Sequence, residues 1–338
     1  MRRSVSAVLG AGVVALLCLP TAAATAGSAL RSARPGAVVG RWEVRAPLPA
    51  NREEVAYVRS GSLLYLAVKD AHYAYDPQAD TWRTLRPLPV ELDHIQAAGM
   101  GGKVYYIGGN VSFYGASVST VYIYDPATDS FSNGRPMPAG RDRGAGGVIV
   151  RNGRICIVGG RYKSATVQIS RPFVDCYTPA SDTWRRLPDM PRGRDHLSAA
   201  LINNKIYVTG GRVNPQRPFG ATDVYDFTTS RWSTGLAPMP TPRGGAATAV
   251  FGTQMVVIGG EGAGLAYDTV EAYDTVANTW TRLEPMPTAR HGIQAAMWNG
   301  GAYVAGGGLT MGGGAATSAH EVLFVGPSAG ATGRRSGS

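Results

Sequence analysis

The sequence predicts an all-β protein in which one four-stranded unit is repeated and stacked against its own copies. Three observations predict it. Two adjacent glycines recur at Gly108-Gly109, Gly159-Gly160, Gly210-Gly211, Gly259-Gly260 and Gly306-Gly307, a step of roughly 50 residues, and a unit of that size cannot bury its apolar face alone. After four of these pairs comes a tyrosine, usually followed by an acid, and seven residues later an aromatic, as in Tyr273-Asp274 to Trp280. The 338 residues include 45 glycines and 22 prolines, only 17% are charged, and no long stretch shows apolar residues at helical spacing. That composition suits many short strands joined by tight turns.

One repeat shows the strands in order. Arg243 to Phe251 alternates small and apolar residues, Gly252-Thr253 turns the chain, and Gln254 to Ile258 forms a second strand ending at Gly259-Gly260. A loop leads to a third strand, Val270 to Tyr273. A turn through Asp274 to Asn278 leads to a fourth, Trp280 to Leu283. Short connections make this one antiparallel sheet. The first hairpin turn recurs as Ser60-Gly61, Asn152-Gly153, Asn203-Asn204 and Asn299-Gly300, residue types that accept positive φ. The diglycine lets the second strand leave sharply and a neighbouring backbone or ring approach closely. Trp82, Phe131, Trp184, Trp232 and Trp280 follow Tyr75, Tyr124, Tyr177, Tyr225 and Tyr273 by seven residues and are expected in the core between sheets.

These diglycine and tyrosine-aromatic motifs resemble those of the Kelch family of β-propellers, over about residues 41–325. The number of blades follows from the ends. The first repeat has Val68-Lys69 where the others have diglycine, and the last has no tryptophan after it. An unpaired Arg41-Trp42-Glu43-Val44 lies upstream and reads as the missing fourth strand of the last blade. A six-bladed propeller, closed by the strand around Trp42, removes the open sheet edge.

Arg2 and Arg3, the apolar run Val5 to Leu19 and Ala24-Thr25-Ala26 form a secretory signal pattern over 1–26. Residues 27–40 and 326–338 read as a flexible linker and a disordered tail, so the chain is expected to be secreted or periplasmic, with no stable membrane insertion after cleavage. Of the net charge of +10, the signal and the tail carry four arginines. No Lys/Arg run interleaved with stacking aromatics appears, which argues against nucleic acid. Cys156 and Cys176 fall on predicted neighbouring strands, and either a disulfide or two buried thiols fits the sequence.

The segment between each diglycine and the next tyrosine varies in length and composition, and variable loops on a fixed frame are where binding usually lives. Glu53, Asp93, Gly144, Asp195, Gly244 and His291 stand in one register, each 15 residues before the first glycine or Val68. They should ring the same mouth as the residues after the diglycines. In the Kelch propellers that bind peptides such positions commonly contact ligand. The resemblance therefore implies binding by Glu53, Asp93, Asn110, Arg161, Asp195, Arg212, Glu261 and His291, with Tyr114, Tyr162 and Phe219 adding apolar grip. Arg52, Arg143, Arg194, Arg243 and Arg290 immediately precede the rim and are expected to pair with carbonyls or with carboxylates of neighbouring blades.

Catalytic sets are sparse. A copper-radical oxidase on related repeats needs two histidines, two tyrosines and a linked cysteine. Here His94 and His196 stand one residue beyond the rim register, so strand alternation would turn His291 away from both. His72 and His320 belong to third strands. No His/Cys spacing matches a zinc site, no nucleophile elbow occurs, and the diglycines end strands rather than open helices. No metal or other cofactor is expected. The expected function is that of an exported, non-catalytic binding module presenting its loop-lined face to a protein or glycan. The alternatives are a sugar-active enzyme of the sialic-acid epimerase or mutarotase type, whose rim would need an acid/base pair and an arginine, and a structural propeller of a surface assembly.

Overall fold

The structure, a computed structural model, describes residues 38–111, 115–214 and 217–327. The signal pattern, most of the linker, the tail from 328 and Tyr114 lie outside the described residues.

Six four-stranded antiparallel sheets follow one another along the chain. In the first, Ala56–Ser60, Leu63–Val68, Ala71–Asp76 and Thr81–Thr84 pair in order. The fifth repeats the plan with Ala247–Phe251, Gln254–Ile258, Val270–Asp274 and Thr279–Arg282. The sixth takes Ala295–Trp298, Gly301–Ala305 and His320–Pro327 from the C-terminal end and Val38–Val44 from the N-terminal end. Trp42 stands opposite Leu323, and the pairing runs from Val38–Pro327 to Val44–Glu321, beyond the expected 41–325 at both ends. The ring is therefore closed by backbone hydrogen bonds between chain termini, and the molecule is a six-bladed β-propeller.

The first strands surround a central channel of about 490 Å³, whose lining includes Val58, Ala98, Gly147, Ala199, Thr248 and Ala295, one residue from each blade. Small residues are required where strands crowd the axis. A Cβ on Gly99 would lie 1.8 Å from the Arg59 carbonyl oxygen, and one on Gly147 2.5 Å from the Cβ of Ala199.

The diglycines do what their lack of side chains permits. Gly108 takes φ 63° and Gly109 φ 107°, conformations that cost an L side chain about 1–2 kcal/mol. A Cβ on Gly108 would sit 2.3 Å from the carbonyl oxygen of Arg143, at the start of the next blade. The approach is a bond: the N–H of Gly109 donates to that carbonyl at 3.1 Å. Gly160 to Arg194, Gly211 to Arg243, Gly260 to Arg290 and Gly307 to Arg52 repeat the staple between blades.

The arginine side chains, by contrast, turn into their own blades, which corrects the expectation of carboxylates from neighbours. Arg143 pairs with Asp175, Arg194 with Asp223, Arg243 with Glu271 and Arg290 with Glu321, all on third strands of the same blade. They also donate to the carbonyls of Gly159, Gly210 and Gly259 and of Val304. All four are fully buried, so each charge is held by a partner inside the protein rather than by water. Arg52 departs from the pattern and reaches the exposed Asp70 at 3.5 Å.

The tyrosines are buried, and the aromatics after them, half-buried on the outer strands, pack against the apolar clusters between neighbouring blades, at the outer edge of the core. They close the blade junctions from outside. The indole N–H of Trp82 donates to the carbonyl of Ala46, Trp184 to Arg135, Trp232 to Pro188, Trp280 to Ala237 and Trp42 to Glu284. Each acceptor lies in the linker entering that blade. Trp42 thus performs for the sixth blade what the other tryptophans do for theirs. Cys156 and Cys176 oppose each other in the third blade and are disulfide-bonded.

Candidate functional site

At the loop-bearing end of the channel the sequence register becomes a ring. Asp93 pairs with Asn110, Gly144 with Arg161, Asp195 with Arg212, Gly244 with Glu261 and His291 with Gly308. The position before each first strand and the residue after each diglycine therefore do share one mouth.

The next residue in each blade completes the geometry. Glu54, His94, Ala145, His196, Gly245 and Gly292 all adopt left-handed φ, between 52 and 65°. The cause is a girdle of backbone bonds between blades. Ala145 N–H donates to the His94 carbonyl, His196 to Ala145, Gly245 to His196 and Gly292 to Gly245, at 2.8–3.0 Å, and Val55 N–H donates to Gly292. A left-handed turn aims each N–H at the preceding blade, and the bond offsets the conformational cost. All six residues border one small cavity of about 70 Å³ at the channel's end.

This turn breaks the face alternation that would have separated the histidines. Glu54 Oε2 lies 3.3 Å from His94 Nε2, and Glu54 Oε1 lies 3.6 Å from His291 Nδ1. The rings of His94 and His196 meet edge-to-face with centroids 5.0 Å apart. His291 therefore converges with the other two on one carboxylate, contrary to the expectation from alternation.

Each channel histidine is oriented by the acid before it. Nδ1 of His94 donates to Asp93 Oδ1 at 2.8 Å, and Nδ1 of His196 donates to Asp195 Oδ1. A carboxylate only accepts, so these bonds place the proton on Nδ1 and turn Nε2 toward the channel. Burial, with Arg212 nearby, pushes His196 down to about 3. Burial would raise Asp195, but the bonds from His196 and Ser170 hold it at about 2. Burial likewise works against ionised Glu54, yet the histidines and Arg212 around it keep its pKa lowered.

Above this floor opens a cavity of about 350 Å³, lined by Glu54, His94, Arg161, Lys163, Gln168, His196, Arg212, Glu261 and Gly312. Arg212 pairs with Glu261, whose other oxygen accepts from the Gly312 N–H at 2.7 Å. Arg161 approaches His94 Nε2 at 3.5 Å. Burial and the adjacent Arg161 lower the Lys163 ammonium from its usual value.

Of the residues expected to bind, Arg161, Arg212 and Glu261 border this cavity together. Asp93, Asp195 and Asn110 are buried behind it: the first two hold histidines, while Asn110 accepts from Ser117 at 2.9 Å. His291 is buried, with Nε2 donating to the Thr310 carbonyl, and half-buried Glu53 accepts from Gly314. Tyr162 and Phe219 stack beneath Arg171 and Arg194. The sequence motifs do not single out Glu54, Lys163 or Gln168, and bring in His94 and His196 only as candidate copper ligands. Glu54, His94 and His196 come from three blades and share no local spacing in the sequence. The available signal was the column itself, since Gly245 and Gly292 in the same register announce a left-handed ring.

The five variable loops rise from blades two to six. In blade one, Val68 pairs directly with Ala71 across a Lys69-Asp70 turn, so this sector of the wall is low.

Repeat, ring closure and mouth define a Kelch-type propeller, and comparison with known proteins agrees. Residues 94–308 match the KLHDC2/KLHL20/DRC7 Kelch-repeats domain. The chain belongs to the Kelch-repeat family. It is 32% identical to Kelch-like protein terF of Aspergillus terreus over 257 residues, covering 70% of this chain and 54% of that protein. With Kelch-like protein 36 of Bos taurus it shares 27% identity, covering 72% of this chain and 40% of the relative. The chain thus spans about half the length, or less, of these curated relatives. The solved structure of YjhT superposes with a TM-score of 0.73 at 18% identity, covering 84% of this chain and all of that one, a likeness of fold.

Proposed function

We propose that the chain is an exported binding module whose loop-lined face takes a glycan at the channel mouth. The observation that carries this reading is the 350 Å³ cavity, where Arg161, Lys163, Gln168, Arg212 and Glu261 converge over a channel floor. Planar side chains offering both donors and acceptors suit the paired hydroxyls of a sugar, and an arginine suits a sugar carboxylate. Concave sites with a few convergent polar groups are the usual form of small-ligand sites. The low wall at blade one leaves room for a chain longer than the cavity. Export is supported by the signal pattern and by the Cys156–Cys176 disulfide, a bond favoured in oxidising compartments.

Calorimetric titration with neutral and acidic oligosaccharides tests the reading. Lys163→Ala and Gln168→Ala lie on the loop above the buried floor, so each is expected to weaken binding about tenfold, the effect of losing one charge-assisted or neutral bond, with unchanged melting temperature. Affinity unmoved by both variants would reject this mouth as the site.

A second reading, a sugar-active enzyme, is favoured by one observation: carboxylates and imidazoles stand within 3.3–3.6 Å of each other beside two arginines. Proton transfer at an anomeric centre needs such a pair. Exchange spectroscopy on acidic sugars separates the readings, since a binder alone leaves the rate of anomer interconversion unchanged.

A further inference from the structure

The geometry points to a site for a divalent first-row transition-metal ion at the mouth's floor, ligated by Glu54, His94 and His196. One ligand atom from each of the three residues lies within 4.8 Å of the others, and all three residues are buried. Two imidazoles and one carboxylate form a donor set suited to zinc or iron(II), leaving positions open toward the cavity.

Two further features support the assignment. Glu54 Oε2 and His94 Nε2 stand 3.3 Å apart, about the edge of a tetrahedron whose corners lie 2.0–2.1 Å from its centre. The His196 ligand atom lies within 4.8 Å of the other two, so it must close by up to about 1.5 Å to reach the same tetrahedral edge. Second, both imidazoles already have the outer support that metal-bound histidines use: Asp93 and Asp195 accept from Nδ1, fixing the tautomer that offers Nε2. An ion here must compete with three cations of the cavity lining, Arg161, Lys163 and Arg212, set against the carboxylates of Glu54 and Glu261.

The guanidinium of Arg161, 3.5 Å from His94 Nε2, occupies space an ion would claim and competes with it. Its removal should strengthen metal binding, an effect opposite to that expected of a ligand. The inference is independent of the glycan reading, because a metal titration requires no sugar.

The test uses the full chain without a polyhistidine tag, stripped with chelator and titrated with Zn²⁺, then with Co²⁺ as a spectroscopic probe. One ion per chain, a raised melting temperature and visible ligand-field bands for Co²⁺ are expected. His94→Ala and His196→Ala should abolish stoichiometric binding, Asp195→Asn should weaken it 10–100-fold, and Arg161→Ala should bind at least as tightly as the parent chain. Should a histidine variant fail to fold, X-ray absorption on the cobalt-loaded parent chain decides: two imidazole ligands support the site. No stoichiometric binding, binding that survives His94→Ala and His196→Ala, or a cobalt spectrum without imidazole overturns it.

Discussion

Trp42 lies opposite Leu323 in the sixth blade and donates its indole N–H to the Glu284 carbonyl at 3.1 Å. One residue near the start of the described chain thus completes the last sheet and seals it to the fifth. Trp42→Ala removes a half-buried aromatic and that bond, and is expected to cost about 2–4 kcal/mol, at or below the range for fully buried tryptophan. Urea unfolding followed by fluorescence measures it. A midpoint shift no larger than that of an exposed surface substitution would mean the ring does not depend on its clasp.

The buried ion pair Arg290–Glu321 should behave as a unit. Arg290→Met leaves the Glu321 carboxylate buried without its charge partner, at a cost of about 3–5 kcal/mol. The double variant Arg290→Met/Glu321→Leu is expected to recover more than half of that loss, because neither charge then remains to be solvated. Equal stability of the single and double variants would show that the arginine acts through packing alone.

Gly108→Ala and Gly61→Ala separate conformational cost from steric cost. Both residues have φ 63°, but a Cβ on Gly61 meets nothing within 4 Å, whereas on Gly108 it would lie 2.3 Å from the Arg143 carbonyl oxygen. Gly61→Ala is expected to lose about 1–2 kcal/mol. Gly108→Ala should lose a further 1–3, roughly the cost of overpacking. Similar losses in thermal denaturation would contradict the inter-blade staple.

Stability should fall in mild acid. Burial pushes His72 down to about 4 and His320 down to about 3, each partly opposed by its bond to a backbone carbonyl. Below the unfolded value of about 6.5, the unfolded chain takes up protons that the folded chain refuses. The contribution is therefore complete above that value and is lost progressively as pH falls toward 4 and 3, by about 1.4 kcal/mol per unit and per histidine. Urea midpoints measured between pH 7 and 5 check this, and a flat profile would show that these rings are not held neutral.

The sequence by itself determined the repeat, the strand order, the blade count and closure through Trp42. Diglycine, positive-φ turn residues and alternating strands are local requirements, each written in residue type at a fixed spacing. It also placed the rim and the residues after the diglycines on one mouth, because an antiparallel sheet puts those positions on the same side. Only the tertiary structure decided which side chains meet there. Glu54, His94 and His196 belong to three blades and have no mutual spacing to read. Their left-handed turns arise from backbone bonds between blades, which exist only once the ring has closed. Those turns reverse the face that strand periodicity assigns, bringing His94, His196 and His291 around one carboxylate.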